Sequence, residues 1–220
     1  MKIKAIITGS TGMVGEGVLH ECLLSPEVES VVVINRRPCN VQHPKLKEII
    51  HKDFYDFSAI KDQLKGYNAC FHCMGVTSVG KNEEEYNKLT YDITIALGGL
   101  LSITNSGMTF CYVSGAATDS TEKGRSMWAR VKGKTENKLI KLFAPKAFMF
   151  RPALIIPTRG LKNTYKMYKV MAPLIPVFKF LMPKYVCSLK EIGLAMINTV
   201  NKGYENSIIE VPDIKKLALQ

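Results

Sequence analysis

Residues 8–15 read TGSTGMVG, and no other stretch narrows the fold so far. The run that ends there, KAIIT at 4–8, is apolar and β-branched, the composition of a buried strand. The run that follows, MVGEGVLHECLL at 13–24, has its apolar residues at helical spacing. Gly9, Gly12 and Gly15 therefore fall in the turn from a first strand into a first helix. The first glycine allows the tight turn, the second lets backbone approach a pyrophosphate, and the third lets helix and strand pack closely. With Ser10, Thr11, Met13 and Val14 between them, the turn offers phosphate a row of N–H donors and the positive end of a helix dipole. The expectation is a dinucleotide held by residues 9–15. A tight turn without a ligand is the plainer alternative.

The rest of the chain repeats the alternation. Strands are predicted at SVVVIN (30–35), LKEIIH (46–51), ACFHCMG (69–75), MTFCYVS (108–114), AFMFRP (147–152) and SIIEVP (207–212). Helices are predicted at 57–64, 83–105, 125–142 and 188–200, the last opened by a capping box of Ser188 and Glu191. Strand-helix repetition implies an α/β fold: one Rossmann-type, doubly wound parallel sheet of about seven strands, covered by helices on both faces. Residues 1–220 read as one domain, with 158–190 as a small substrate-side elaboration. The opening MKIKAIITGS reads as the first strand, not as a secretory signal.

The second strand ends in Asn35-Arg36-Arg37. An acid there would accept hydrogen bonds from the adenosine ribose of NAD. Two guanidiniums instead match a 2′-phosphate through charge-assisted, bidentate contacts. NADP is thus expected over NAD, with a pair of solvated turn arginines as the alternative. The net charge of +11 is uneven: residues 125–190 carry 15 Lys/Arg and the single acid Glu136. That imbalance suits an anionic partner or a solvated basic face. The apolar, basic stretch 161–185 reads as a lid over substrate, a dimer face or a patch for an anionic membrane surface. Nucleic acid is not expected, because no motif for it appears. The six scattered cysteines suggest reduced thiols in a cytosolic protein, and Cys70, His72 and Cys73 suggest buried strand more than metal.

Together, GSTGMVG, HKDF (51–54), CMGVT (73–77), YVSG (112–115), KGKTE (132–136) and FRPALIIP (150–157) resemble the short-chain dehydrogenase/reductase superfamily. The likeness is to its atypical, epimerase-like branch, which includes the Tat-interacting-protein-like reductases. The resemblance implies that Asp53 and Phe54 lie beside the adenine and that Cys73, Met74 and Gly75 line the cofactor. It implies that Arg151 and Pro152 set backbone against the nicotinamide carboxamide. It also implies a catalytic serine at Ser114 and a Tyr-x-x-x-Lys pair whose lysine is Lys132. The tyrosine position holds Trp128, the chain's one tryptophan. Indole has an N–H donor and no protonation equilibrium near neutral pH, so it cannot replace the phenol as a general acid. Tyr165 and Lys169 share the spacing but fall in the substrate-side stretch, where Tyr165 or Tyr168 could serve as a substitute acid. Ser114 reads as an oxyanion donor or as a hydroxyl bonded within its own turn. Two functions stay open: an NADP-dependent oxidoreductase or epimerase-like enzyme for a small carbonyl or alcohol, and a silent NADP(H)-sensing or scaffold protein.

Overall fold

The computed structural model describes residues 2–163 and 181–220. Seven strands form one parallel sheet: β1 (Ile3–Thr8), β2 (Val28–Asn35), β3 (Leu46–Ile50), β4 (Ala69–His72), β5 (Thr109–Val113), β6 (Ala147–Arg151) and β9 (Ile208–Glu210). Their order across the sheet is β3-β2-β1-β4-β5-β6-β9. The central strands β1, β4, β5 and β6 are apolar and almost wholly buried, which a parallel sheet requires because helices cover both faces. This is the expected doubly wound α/β fold.

One face carries α1 (Met13–Leu24) and two later helices, α5 (Leu189–Lys202) and α6 (Val211–Ala218), as described below. The other carries a 3₁₀ helix (Ser58–Leu64), α2 (Glu83–Asn87), α3 (Ile93–Thr104) and α4 (Met127–Phe143). Ser188 and Glu191 form the anticipated capping box, Ser188 Oγ accepting from the Glu191 N–H at 3.1 Å. The long helix foreseen over 83–105 runs from Glu83 to Thr104 with helical backbone at each junction, though not as α-helix throughout. A π segment, Lys88–Asp92, separates α2 from α3 and widens the coil there. The strand foreseen over 207–212 stops at Glu210, where Glu210 and Asp213 cap α6 and Pro212 occupies its first turn.

A second, two-stranded sheet pairs β7 (Leu154–Ile156) with β8 (Val186–Ser188) in parallel. These strands bracket the basic stretch. The expectations for Tyr165, Tyr168 and Lys169, and for the lid, dimer face or membrane patch, lie mostly outside the described residues.

Candidate functional site

The sheet order reverses between β1 and β4: from β1 the chain goes to β2 on one side and from β4 to β5 on the other. The crevice at the carboxyl ends of strands at such a point is where open α/β sheets receive ligands. Gly9, at the end of β1, has φ of 75°. A Cβ there would lie 2.8 Å from backbone atoms of Cys73 and Met74, so β1 and β4 meet too tightly for a side chain. At Gly15 a Cβ would fall 2.1 Å from the Gly9 carbonyl oxygen. At Gly12 it would meet only that oxygen, at 3.4 Å, and otherwise open space. Gly12 is also the N-cap of α1, in extended backbone and with no side-chain cap, so the first N–H groups of the helix face outward unspent. Closed at the first and third glycines and open at the second, the turn fits a pyrophosphate.

Three hollows join along this edge, and Met74 lines all of them. One, about 400 Å³, is largely apolar and runs between Asp53, Phe54, Leu89 of the π segment and Ile93 at the start of α3. The second, about 460 Å³, is polar and bounded by Gly9, Thr11, Asn35, Arg36 and Arg37. Arg36 and Arg37 are exposed, and among the described residues neither has an ion-pair partner. The third, about 350 Å³, lies over the ends of β4, β5 and β6. Gly12, Met13, Val14, Cys73, Gly75, Ser114, Gly115, Lys132 and Pro152 line it.

Some residues foreseen from the sequence stand apart from these hollows. Gly15 is buried beneath the turn, and Ser10 Oγ donates inward to Asn35 Oδ1 at 2.9 Å. Asn35 in turn donates to Glu48 at 2.7 Å, so the polar pair stiffens the turn after β2. The Arg151 side chain leaves the third hollow: its Nε donates to Glu136 Oε1 at 3.0 Å and its Nη2 to Ser120 Oγ at 2.5 Å. Only its neighbour Pro152 lines the hollow. Trp128 is half-buried in the first turn of α4, one helical turn before Lys132, and lines none of the three.

In the third hollow, Ser114 Oγ donates to the Phe150 carbonyl at 3.1 Å, a bond across to β6 and not within its own turn. Lys132 Nζ donates to the Ser114 carbonyl oxygen. Burial pulls the Lys132 ammonium down to about 8, while the Glu136 charge one turn along resists that fall. Burial also drives the Cys73 thiol up to about 12. Beneath it, His72 is sealed between two threonines: Nδ1 meets Thr8 Oγ1 at 2.9 Å and Nε2 meets Thr94 Oγ1 at 3.0 Å. A neutral imidazole suits that pairing, one nitrogen donating and the other accepting. Burial first, and then the Lys132 charge, hold His72 down to about 3.

Lys52, Thr77, Leu89 and Ile93 line the hollows without having been singled out from sequence. Lys52 and Thr77 sit inside motifs that carried the resemblance, which was the available signal. Leu89 and Ile93 gave only the helical spacing of core residues.

A parallel sheet with this switch point and glycine turn defines the class of Rossmann-type dinucleotide-binding folds. Residues 5–118, just over half of the chain, match the NAD dependent epimerase/dehydratase family, and the chain belongs to that family. It is 26% identical over 217 residues to Protein FMP52, mitochondrial, of Meyerozyma guilliermondii, covering 95% of this chain and 90% of the relative. Its fold is like that of UDP-N-acetylglucosamine 4-epimerase from Methanobrevibacter ruminantium, solved with UDP-N-acetylmuramic acid: TM-score 0.69, 16% identity, 95% of this chain and 76% of that one. It is likewise similar to WbmF of Bordetella bronchiseptica in complex with NAD+, with TM-score 0.67, 16% identity, and 99% and 77% covered. The cytosolic expectation is corrected here. Curated relatives from Meyerozyma guilliermondii, Debaryomyces hansenii and Scheffersomyces stipitis are all named mitochondrial, which points to the mitochondrion. Reduced thiols do not distinguish the two compartments, so the cysteines carried less information than they were given.

Proposed function

We propose that this chain binds NADP(H) and works as an oxidoreductase or epimerase-like enzyme on a small carbonyl or alcohol. The observation that carries this reading is the run of three joined hollows around Met74. Their chemistry changes along the run as a dinucleotide's does: apolar beside Phe54, cationic at Arg36 and Arg37, then a recess holding Lys132 and Ser114. Asp53 and Phe54 take the adenine end, Arg36 and Arg37 the 2′-phosphate, and the turn from Gly9 to Val14 the pyrophosphate. Cys73, Met74, Gly75 and Pro152 form the walls around the nicotinamide. When bound, the reduced nicotinamide supplies a hydride to the carbonyl carbon. Residues 158–163 and 181–190 belong to the substrate side of a single domain.

Calorimetric titration with NADP and NAD, followed by NADPH consumption against a panel of aldehydes and ketones, tests the reading. Binding of NADP several-fold tighter than NAD, with turnover of some panel member, is the expected result. Absence of dinucleotide binding defeats it. A second reading, a silent NADP(H) sensor or scaffold, draws support from Trp128 in the tyrosine position and from the Ser114 hydroxyl already bonded to Phe150. Tight binding without turnover, and turnover appearing only in Trp128→Tyr, would favour it.

A further inference from the structure

We propose that Lys132 is the proton donor of the third hollow: with indole at position 128, the ammonium at Nζ delivers the proton to the substrate oxygen. The inference rests on the oxidoreductase reading and deepens it. Its first support is an inventory of the recess. Among the described residues that line it, the side chains with a titratable proton are Lys132 and Cys73. The thiol is held up at about 12 and gives its proton poorly, because burial opposes the thiolate it would leave. Tyr112, a phenol close by among the described residues, has its ring centroid 5.9 Å from Lys132 Nζ. Tyr112 is fully buried within the sheet and does not line the hollow. His72 lies behind the wall with both nitrogens engaged by Thr8 and Thr94.

The second support is the way Lys132 is held. Its Nζ donates to one carbonyl, that of Ser114, and it has no carboxylate partner among the described residues. The one acid on its own helix face, Glu136, is taken by Arg151. A neutral acceptor holds an ammonium in place yet lets its proton go, where a paired carboxylate would retain it. The other groups facing it are His72 from β4, Tyr112 from β5 and Cys73 from the loop after β4. His72 and Tyr112 are neutral over the range in which the ammonium titrates, and Cys73 is a thiol there. Burial has already brought Lys132 down to about 8, close to the pH at which a general acid works best.

In the step itself an N–H bond of the ammonium breaks and its electron pair stays on nitrogen. An O–H bond forms on the oxygen that has received the carbonyl π pair, while the carbon's new hydrogen and its pair come from the reduced nicotinamide. The amine left behind recovers a proton from water in the open hollow.

Three measurements on the full chain test the assignment. The first is an NMR titration of reductively ¹³C-methylated lysines in the free protein, with the Lys132 signal identified by its loss in Lys132→Arg. It should show one lysine titrating well below the ordinary range, and a Lys132 signal in that ordinary range would overturn the assignment. The second is NADPH binding and turnover by Lys132→Arg, which keeps the charge and cannot release a proton near neutral pH. Binding should persist within a few-fold while turnover falls by roughly 10²–10⁴. Turnover kept in that variant would end the proposal and leave the oxidoreductase reading standing. The third is the pH profile of carbonyl reduction, which should fall on the alkaline side as the measured Lys132 signal deprotonates. An alkaline limb unrelated to that signal would also overturn it. NADPH binding with no turnover by the natural protein would remove both readings at once. Lys132→Met, with its fold checked by circular dichroism, separates loss of the proton from misfolding, and should be as inactive as the arginine variant.

Discussion

On the proposed reading, Arg36 and Arg37 decide between two cofactors that differ by one phosphate. Hydrogen bonds to a charged group contribute about 1.5–3 kcal/mol. The double variant Arg36→Ala/Arg37→Ala should therefore bind NADP some ten- to a hundredfold more weakly, with NAD affinity changed by no more than a few-fold. Titration calorimetry reads both, and equal losses for the two cofactors would remove the 2′-phosphate role. His72 makes a prediction of a different kind. Its folded-state value, about 3, lies below the ordinary 6.5, so the unfolded chain binds the extra proton between those limits. Stability contributed by the neutral imidazole is full above about 6.5 and is lost as pH falls toward 3. The loss is on the order of 1.4 kcal/mol per pH unit within that window. Urea unfolding at stepped pH should show a steep acid limb that is shallower in His72→Gln, and an unchanged slope would mean that another group controls it. His72 also marks what the sequence could not reveal. The glycine turn is legible because its requirements are local, whereas the partners of His72 lie 64 and 22 residues away. Only the assembled sheet shows that this histidine is sealed.

Elements join here through glycines, and the atoms each would strike set the cost of change. A Cβ at Gly15 reaches backbone, the Gly9 carbonyl oxygen at 2.1 Å, and backbone at a turn cannot step aside. A Cβ at Gly17 reaches the side chain of Leu189 at 2.9 Å, where α1 packs on α5. A leucine can change rotamer. Gly15→Ala should thus lower the melting temperature by roughly 5 °C or more and abolish NADP binding, since about 1 kcal/mol moves Tm by 2–4 °C in a chain of this size. Gly17→Ala should cost less than half as much and keep the cofactor. Thermal melts with and without NADP measure both, and reversal of that order would contradict the packing described. Element boundaries follow the same division between local and distant causes. The seven strands of the main sheet were legible as short, mostly apolar runs between turn and helix signals. The π widening at 88–92 was not, because a π turn carries no period of its own and KLTYD fits an ordinary helix. Nor was α6, where apolar SIIEV continues past the point at which the capping pair Glu210 and Asp213 turns the chain.

At the scale of the whole molecule, Glu136 and Arg151 fasten four pieces together. Arg151 ends β6, Glu136 lies on α4, Ser120 belongs to the loop between β5 and α4, and Glu210 of β9 stands 3.6 Å from the same guanidinium. The Glu136 side chain is wholly buried and that of Arg151 is 11% exposed. The family resemblance assigned the backbone of Arg151 and Pro152 to the cofactor; Pro152 does line the hollow, whereas the Glu136 partner of the Arg151 side chain could not be read from sequence. Removing one member of such a pair leaves a buried charge uncompensated, at a cost of about 3–5 kcal/mol. Replacing both by apolar residues of similar volume is often nearly neutral. Arg151→Met should therefore destabilise strongly, because it leaves the wholly buried Glu136 without a counter-charge, and Glu136→Gln somewhat less, because Arg151 keeps Glu210 at 3.6 Å. The double variant Glu136→Leu/Arg151→Met should recover most of the loss, giving a coupling of more than about 2 kcal/mol in a urea double-mutant cycle. Simple additivity would show the pair to be incidental. The same acid helps to hold the proton of Lys132 one turn away, against the pull of burial. Glu136→Gln should then shift the Lys132 titration, and with it the alkaline limb of activity, to lower pH. An unmoved titration in a variant that still folds would separate the fastening of the sheet from the chemistry of the hollow.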